Sequence, residues 1–134
     1  MAARRTTIDE LLRAARSRLV RVSPEHALHA MRGGDVLVDI RSELQRARDG
    51  TIPGATFHPR NVLEWRMDPS SGHADPALAS DLDRRVILVC HQGYQSSLAA
   101  ATLQDLGFRR ATDLIGGFEA WRVAGLPVEH GAAG

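Results

Sequence analysis

VILVCHQGYQSSLAAATLQDLG, residues 86–107, carries a strand, a tight loop and a helix in immediate succession. Residues 86–90 form an unbroken apolar run rich in β-branched side chains, the pattern of a strand buried on both faces of a parallel sheet. HQGYQ, residues 91–95, breaks that pattern with a glycine at its centre. Ser96 to Leu106 then reads as an Ala-rich helix capped by Gly107. A strand that feeds a helix through so short a loop is half of a right-handed βαβ unit.

Working outward, VLVDI at 36–40 is a second buried strand, and LVRV at 19–22 reads as a short one. Ser23 and Pro24 open a helix that Gly33-Gly34 ends. SELQRAR at 42–48 predicts a short helix, stopped by Asp49-Gly50 and the turn at Pro53-Gly54. Residues 55–58 are a weak strand, 61–66 a helical turn, and Asp75-Pro76 starts a helix running to about residue 82. A last strand at 111–115 leads through Gly116-Gly117 into a helix that covers Trp121 to Ala124. The expected fold is α/β: a single domain over 22–131, with a mostly parallel central sheet of about five strands flanked by helices on both faces. Residues 1–21 form an amphipathic helical extension. Thr7 and Glu10 stand at capping-box spacing there, and Ile8, Leu11, Leu12 and Ala15 share one side.

The chain has 134 residues, enough for one domain, and 43% of them are apolar. A domain of that size buries roughly two-thirds of its unfolded surface and stands without disulfides. The 17 basic and 16 acidic residues leave a net charge of +1, which excludes disorder and gives no ground for a nucleic acid or membrane partner. Every basic residue is Arg, so Schiff-base chemistry on a lysine is excluded. No apolar run approaches the ~20 residues of a membrane span. The N-terminus lacks the apolar core of a secretory signal, so the expected location is the cytoplasm.

Cys90 is the single cysteine. It has no resolving thiol within the chain, so any covalent chemistry at Cys90 is completed by another molecule. It stands at the carboxyl end of the most apolar strand, where ligands of parallel sheets gather, just before a helix N-terminus. Unpaired N–H groups and the helix dipole favour a thiolate there, with a pKa below the ~8.5 of a free cysteine. Gly93 permits the positive φ that lets successive N–H groups turn inward. On strand position alone the competing reading is a buried small hydrophobe.

Three segments resemble the rhodanese-like sulfurtransferase homology domain. VLVDIRSELQRARDGTIPGA (36–55) is similar to that family's first signature through Asp39, Arg41, Ile52, Pro53, Gly54 and Ala55, with Thr51 where His is frequent. The stretch from Cys90 to Phe108 resembles its active-site loop and helix, close to a Cys-x-x-Gly-Tyr-x-Ser-Ser subgroup. GGFEAWRVAGLPVE (116–129) resembles its C-terminal signature. The resemblance implies that Cys90 takes the outer sulfur of thiosulfate or a persulfide donor. Cys90 would then pass it to cyanide or a thiol, with a protein thiol among the possible acceptors. It implies that the backbone amides of His91, Gln92, Gly93, Tyr94, Gln95 and Ser96 hold the persulfide, with no cofactor beyond that covalent intermediate. One departure stands out: Gln95 occupies a position where family loops commonly carry Arg. A missing charge-assisted hydrogen bond of about 1.5–3 kcal/mol predicts slow turnover of dianionic thiosulfate.

The remaining candidates carry blander expectations. Asp39 and Arg41 are expected as a buried ion pair supporting the site. Arg60, Trp65, Arg66 and His73 read as loop residues with an outside claim to the pocket wall. His26 and His29 share a helix face without the companions a metal site needs, so no metal is expected. Phe108, Phe118 and Trp121 read as core. Arg84-Arg85 and Arg109-Arg110 read as solvated pairs, with a basic docking patch as the sharper alternative. Two functional rivals follow from the same residues. A cell-cycle-type phosphatase would need Arg at position 96, where Ser stands. A non-catalytic binding module or a sulfur sensor would use the fold without turnover.

Overall fold

A computed structural model describes residues 4–131; the first three residues of the extension and the last three of the chain lie outside the described residues. Its sheet has four parallel strands: β1 (Val36–Asp39), β2 (Thr56–Phe57), β3 (Val86–Val89) and β4 (Thr112–Asp113), in the order β2-β1-β3-β4. Around them lie α1 (Ile8–Arg16), α2 (Pro24–Arg32), α3 (Glu43–Asp49), α4 (Leu63–Met67), α5 (Pro76–Ala79), α6 (Gln95–Asp105) and α7 (Gly117–Val123). A 3-10 turn spans Arg60–Val62. No helix among the described residues is long and apolar enough to cross a membrane.

The two central strands are buried from end to end. Side chains alternate across a strand, so each strand feeds two cores. Val36, Val38, Val86 and Leu88 meet Leu63, Leu103 and Phe108 on one face. Leu37, Ile87 and Val89 meet Ala27, Phe118 and Trp121 on the other. Phe108, Phe118 and Trp121 are fully buried, and the Trp121 indole donates to the Pro127 carbonyl at 2.8 Å. Capping follows the sequence closely: Thr7 with Glu10, and Ser42 with Gln45, form complete capping boxes.

Four details correct the sequence reading. Residues 19–22 form no strand; they contribute a single parallel bridge, Val22 to Leu114, and so the sheet has four strands rather than about five. The Thr112 hydroxyl takes the Val20 carbonyl at 2.7 Å, so that carbonyl is spent on a side chain rather than on a ladder. The helix expected to run to residue 82 stops at Ala79, after which Asp81 turns the chain by accepting the Asp83 N–H. On α1, Ile8 and Leu11 are exposed, and the buried residue is Ala15. Leu12 is half-buried, so the expected apolar side covers the domain only over the second half of the helix.

A pair of buried His58 and half-buried Asp75 anchors the loop that precedes α5. Asp75 caps that helix by accepting the Ala77 N–H, and its Oδ2 lies 2.8 Å from Nε2 of His58, which is 7% exposed. The His58 hydrogen bond, above all, holds the Asp75 carboxyl below its usual range; burial pushes the other way, and the Ala77 N–H and the charge of Arg66 add to the lowering. A carboxyl with a depressed native pKa stabilises the fold above its unfolded value, near ~3.9, and that stabilisation is lost as pH falls through the native value. Wild type is therefore expected to exceed Asp75→Asn in stability at pH 6. Urea unfolding at steps down to pH 3 should show the gap closing on the acid side.

Candidate active site

Cys90 follows β3 directly, and its side chain lies in the core between that strand and α6. Two backbone donors reach its sulfur: the N–H of Gly93 at 3.1 Å and that of Ser96 at 3.4 Å. The thiol donates to Ser96 Oγ at 3.2 Å. A sulfur held by two amides at a helix N-terminus is placed to carry negative charge.

The loop around the sulfur owes its shape to partners on its outer side. The Phe118 N–H donates to the Cys90 carbonyl at 2.8 Å, and the Glu119 N–H to the His91 carbonyl at 3.0 Å. Arg16 and Arg21 donate to the Gly93 carbonyl at 2.8 and 3.0 Å. In a trans peptide the C=O and the following N–H point in opposite directions, and none of the described peptide bonds is cis. Pulling those three carbonyls outward therefore turns the N–H groups of His91, Gln92 and Tyr94 the other way. Among the described residues, these N–H groups and that of Gln95 have no hydrogen-bond acceptor. With the two N–H groups on the sulfur, the loop presents a row of backbone donors.

Two glycines let the backbones meet. Gly93 has φ +86°, and a Cβ there would lie 2.7 Å from the Gly116 nitrogen. Gly117 has φ +61°, and a Cβ there would lie 2.5 Å from the Cys90 carbonyl oxygen and 2.8 Å from the Gly93 nitrogen. The glycine pair at 116–117 thus brings the start of α7 against the cysteine loop, and no side chain fits between them.

A second layer was not anticipated from the sequence. Asp113, at the end of β4, is fully buried. Its Oδ2 accepts the Ser96 hydroxyl at 2.7 Å and the Ser97 hydroxyl at 2.8 Å, and Arg21 pairs with it from the other side, Nε to Oδ1 at 2.8 Å. Arg16 reaches in from α1, donating through Nε to Ser97 Oγ at 3.1 Å and standing 5.6 Å from the centre of the Tyr94 ring. The only sequence signal for Asp113 is a carboxylate inside a short apolar run, which on burial demands partners.

The sulfur faces an open cleft of about 670 Å³, lined by Ile40, Arg41, Gln45, Arg60, Gln92 and Gln95 among others. Asp39 and Arg41 form the expected buried pair, Nη2 to Oδ2 at 2.9 Å, with Arg41 also donating to the Gly50 carbonyl and lying over the Phe118 ring. His91 lies between two carboxylates, with Nε2 at 3.4 Å from Glu119 and Nδ1 at 4.0 Å from Asp49. Arg60 does line the cleft, but both Glu64 oxygens accept its Nη1. Trp65 is 55% exposed, while Arg66 holds the His73 carbonyl. His26 and His29 lie at a separate shallow cleft beside Asp35 and Arg85. Arg85 pairs with Asp35 and Arg109 with Asp83, whereas Arg84 and Arg110 bond backbone carbonyls.

Residues 23–124 match the family model described as a rhodanese-like domain. Relatives include the thiosulfate sulfurtransferase GlpE of Pseudomonas fluorescens (strain SBW25), 42% identical over 106 residues that cover 79% of this chain and 87% of the relative. GlpE of Stutzerimonas stutzeri (strain A1501) is 40% identical over 103 residues, covering 76% and 84%. Among solved structures, a protein of unknown function from Rhodopseudomonas palustris, described as a possible tyrosine phosphatase, superposes with a TM-score of 0.85. It is 36% identical, over 96% of this chain and 98% of that one. The polysulfide-sulfur transferase homodimer of Wolinella succinogenes matches with a TM-score of 0.65 and 25% identity, over 89% and 84% of the two chains.

The contact between Gly117 and the loop gives a direct test. Gly117→Ala adds a side chain at positive φ and forces it onto backbone, at a combined cost of about 2–4 kcal/mol. Gly125→Ala also meets a positive φ, +73°, but nothing within 4 Å, and it should cost only about 1 kcal/mol. Urea denaturation of the two variants is expected to separate them in that order.

Proposed function

The chain belongs to the rhodanese-like domain family and is a sulfurtransferase, and we propose that the sulfur travels on Cys90 as a persulfide. The observation that carries this reading is the pair of backbone N–H groups on Cys90 Sγ at the mouth of the cleft. In the first half-reaction the Cys90 thiolate attacks the outer sulfur of the donor. With thiosulfate the S–S bond breaks, sulfite leaves with the bonding electron pair, and Cys90 becomes Cys–S–S⁻. In the second half-reaction a nucleophile attacks the outer sulfur of the persulfide. Cyanide leaves as thiocyanate, or a thiolate leaves as a new persulfide, and the Cys90 thiolate returns.

The added sulfur extends the charge beyond Sγ, and the row of amides from His91 to Ser96 is suited to hold it. Ser96 contributes twice. Its N–H donates to Sγ, and its hydroxyl, fixed by Asp113, takes the thiol proton's hydrogen bond. Asp39 and Arg41 support the wall of the cleft behind the reacting atoms. The two half-reactions balance without a cofactor. The absence of a second cysteine sends the sulfur to an external acceptor, such as a small thiol or a protein thiol in a reducing cytoplasm.

Donor charge is the point on which this loop differs from an Arg-bearing one. Gln95 is exposed on the cleft wall and brings no charge to a dianion. A persulfide donor, with less charge to neutralise, fits the site better than thiosulfate. A phosphatase reading fits worse. The side chain at position 96, where phosphate clamping needs Arg, is a serine turned inward onto Cys90 and Asp113.

Intact-mass measurement tests the proposal. Wild type incubated with thiosulfate or a small persulfide should gain one sulfur atom and lose it on adding cyanide, while Cys90→Ser gains none. Folded, reduced wild type that takes sulfur from no donor would overturn the enzymatic reading in favour of a binding module. Sulfur gained but released to no acceptor would leave a sensor. Gln95→Arg is expected to raise kcat/KM for thiosulfate by about tenfold, the value of one restored charge-assisted hydrogen bond.

A further inference from the structure

We infer that helix α1 is a working part of the sulfur site, and that Arg16 on it is a positioning residue for the cysteine loop. The inference rests on the sulfurtransferase reading and says how this chain supplies the positive charge that position 95 does not carry. The matched family span begins at residue 23, so both cations that hold the Gly93 carbonyl, Arg16 and Arg21, come from outside it.

The two arginines are not equivalent. Arg21 is neutralised by the buried Asp113 carboxylate. Arg16 forms no ion pair among the described residues. Its guanidinium is spent on neutral groups of the active-site loop and helix: Nη2 on the Gly93 carbonyl, Nε on the Ser97 hydroxyl, and the face of Tyr94. It therefore leaves a net positive charge directly behind the loop.

Two effects follow at the sulfur. The first is geometric. The Gly93 carbonyl and the Tyr94 N–H belong to one peptide group, so fixing the carbonyl on the outer side fixes the N–H on the inner side. The second is electronic. A carbonyl that accepts from a guanidinium is polarised, and its own peptide N–H becomes a stronger donor. Both act on charge that builds up beyond Sγ as the persulfide forms, and they act most strongly where water is excluded. The docking that brings Arg16 there is local and specific. Ala15, the buried residue of α1, lies next to it, and α1 packs on α6, whose first residues form the far side of the loop.

The test compares full-length wild type with Arg16→Gln, Arg16→Lys and Arg13→Gln. Arg13 is exposed on the same helix, and its side chain bonds nothing among the described residues, so Arg13→Gln removes equal charge without touching the loop. Single-turnover sulfur loading from thiosulfate is followed by intact mass. Arg16→Gln is expected to lower the maximal loading rate about tenfold, with a smaller change in the half-saturating thiosulfate concentration. Arg13→Gln should match wild type, and Arg16→Lys should recover part of the loss. Equal rates in Arg16→Gln and wild type would overturn the inference, as would an equal loss in Arg13→Gln.

A readout on wild type alone guards against a variant that fails to fold. In 15N–1H spectra the Tyr94 amide proton is expected to move downfield when Cys90 is loaded with sulfur, and no movement would overturn the inference. Should wild type take up no sulfur, the sulfurtransferase reading falls by itself. The rate of Cys90 alkylation by iodoacetamide at neutral pH then decides on Arg16: slower in Arg16→Gln supports it, and unchanged overturns it.

Discussion

A peptide group is planar, and in its trans form the carbonyl and the amide of one unit point apart. That constraint shapes the cysteine loop more than any side chain in it. HQGY, residues 91–94, has no regular structure and no apolar pattern to fix it. Its conformation comes from three carbonyls that outside groups hold: Cys90 and His91 by the first amides of α7, and Gly93 by two arginines. Each anchored carbonyl commits the next amide to the opposite side. The loop is thus organised from behind, and the inward-turned amides of His91, Gln92 and Tyr94 are the consequence.

Asp113 is the second element on which the site depends. A buried carboxylate is costly unless its lone pairs are filled. Here they are filled by two hydroxyls from the start of α6 and by Arg21. Because Ser96 donates to Asp113, its oxygen presents a lone pair to the thiol, and its backbone N–H is brought to the same sulfur. The end of the edge strand therefore sets the orientation of the helix whose N-terminus faces the sulfur. Fold stability and site geometry share these hydrogen bonds, so loosening one loosens the other.

Much of this was legible in the sequence and some was not. The strand at 86–90, its loop and its helix were readable because periodicity, glycine and chain order agree locally. Cys90 was readable because it is the single thiol at a strand end. The Asp39–Arg41 pair was legible because its members lie two residues apart. Asp113 was missed because its partners are 16, 17 and 92 residues away, and no spacing rule reaches that far. Arg16 was hidden among the many arginines of the first 22 residues, where charge alone suggests a solvated face. The segment 19–22 looked like a strand because three of its four residues are apolar and branched. Yet a single hydroxyl, that of Thr112, takes the carbonyl a ladder would need.

The distribution of charge around the cleft bears on which donors suit it. Arg41 and Arg46 are both committed to Asp39, and Arg60 is committed to Glu64. His91 sits between Asp49 and Glu119. Two guanidinium groups thus share one Asp39 carboxylate, which leaves one positive charge behind the cleft wall, and Nη1 of Arg41, a residue that lines the cleft, has no hydrogen-bond partner among the described residues. The cations that reach the loop from behind act through the backbone instead. Their field, and the Tyr94 amide that the Gly93 carbonyl turns inward, favour negative charge at the Cys90 sulfur. Catalysis gains from interactions that strengthen as the reaction proceeds rather than on arrival of the substrate.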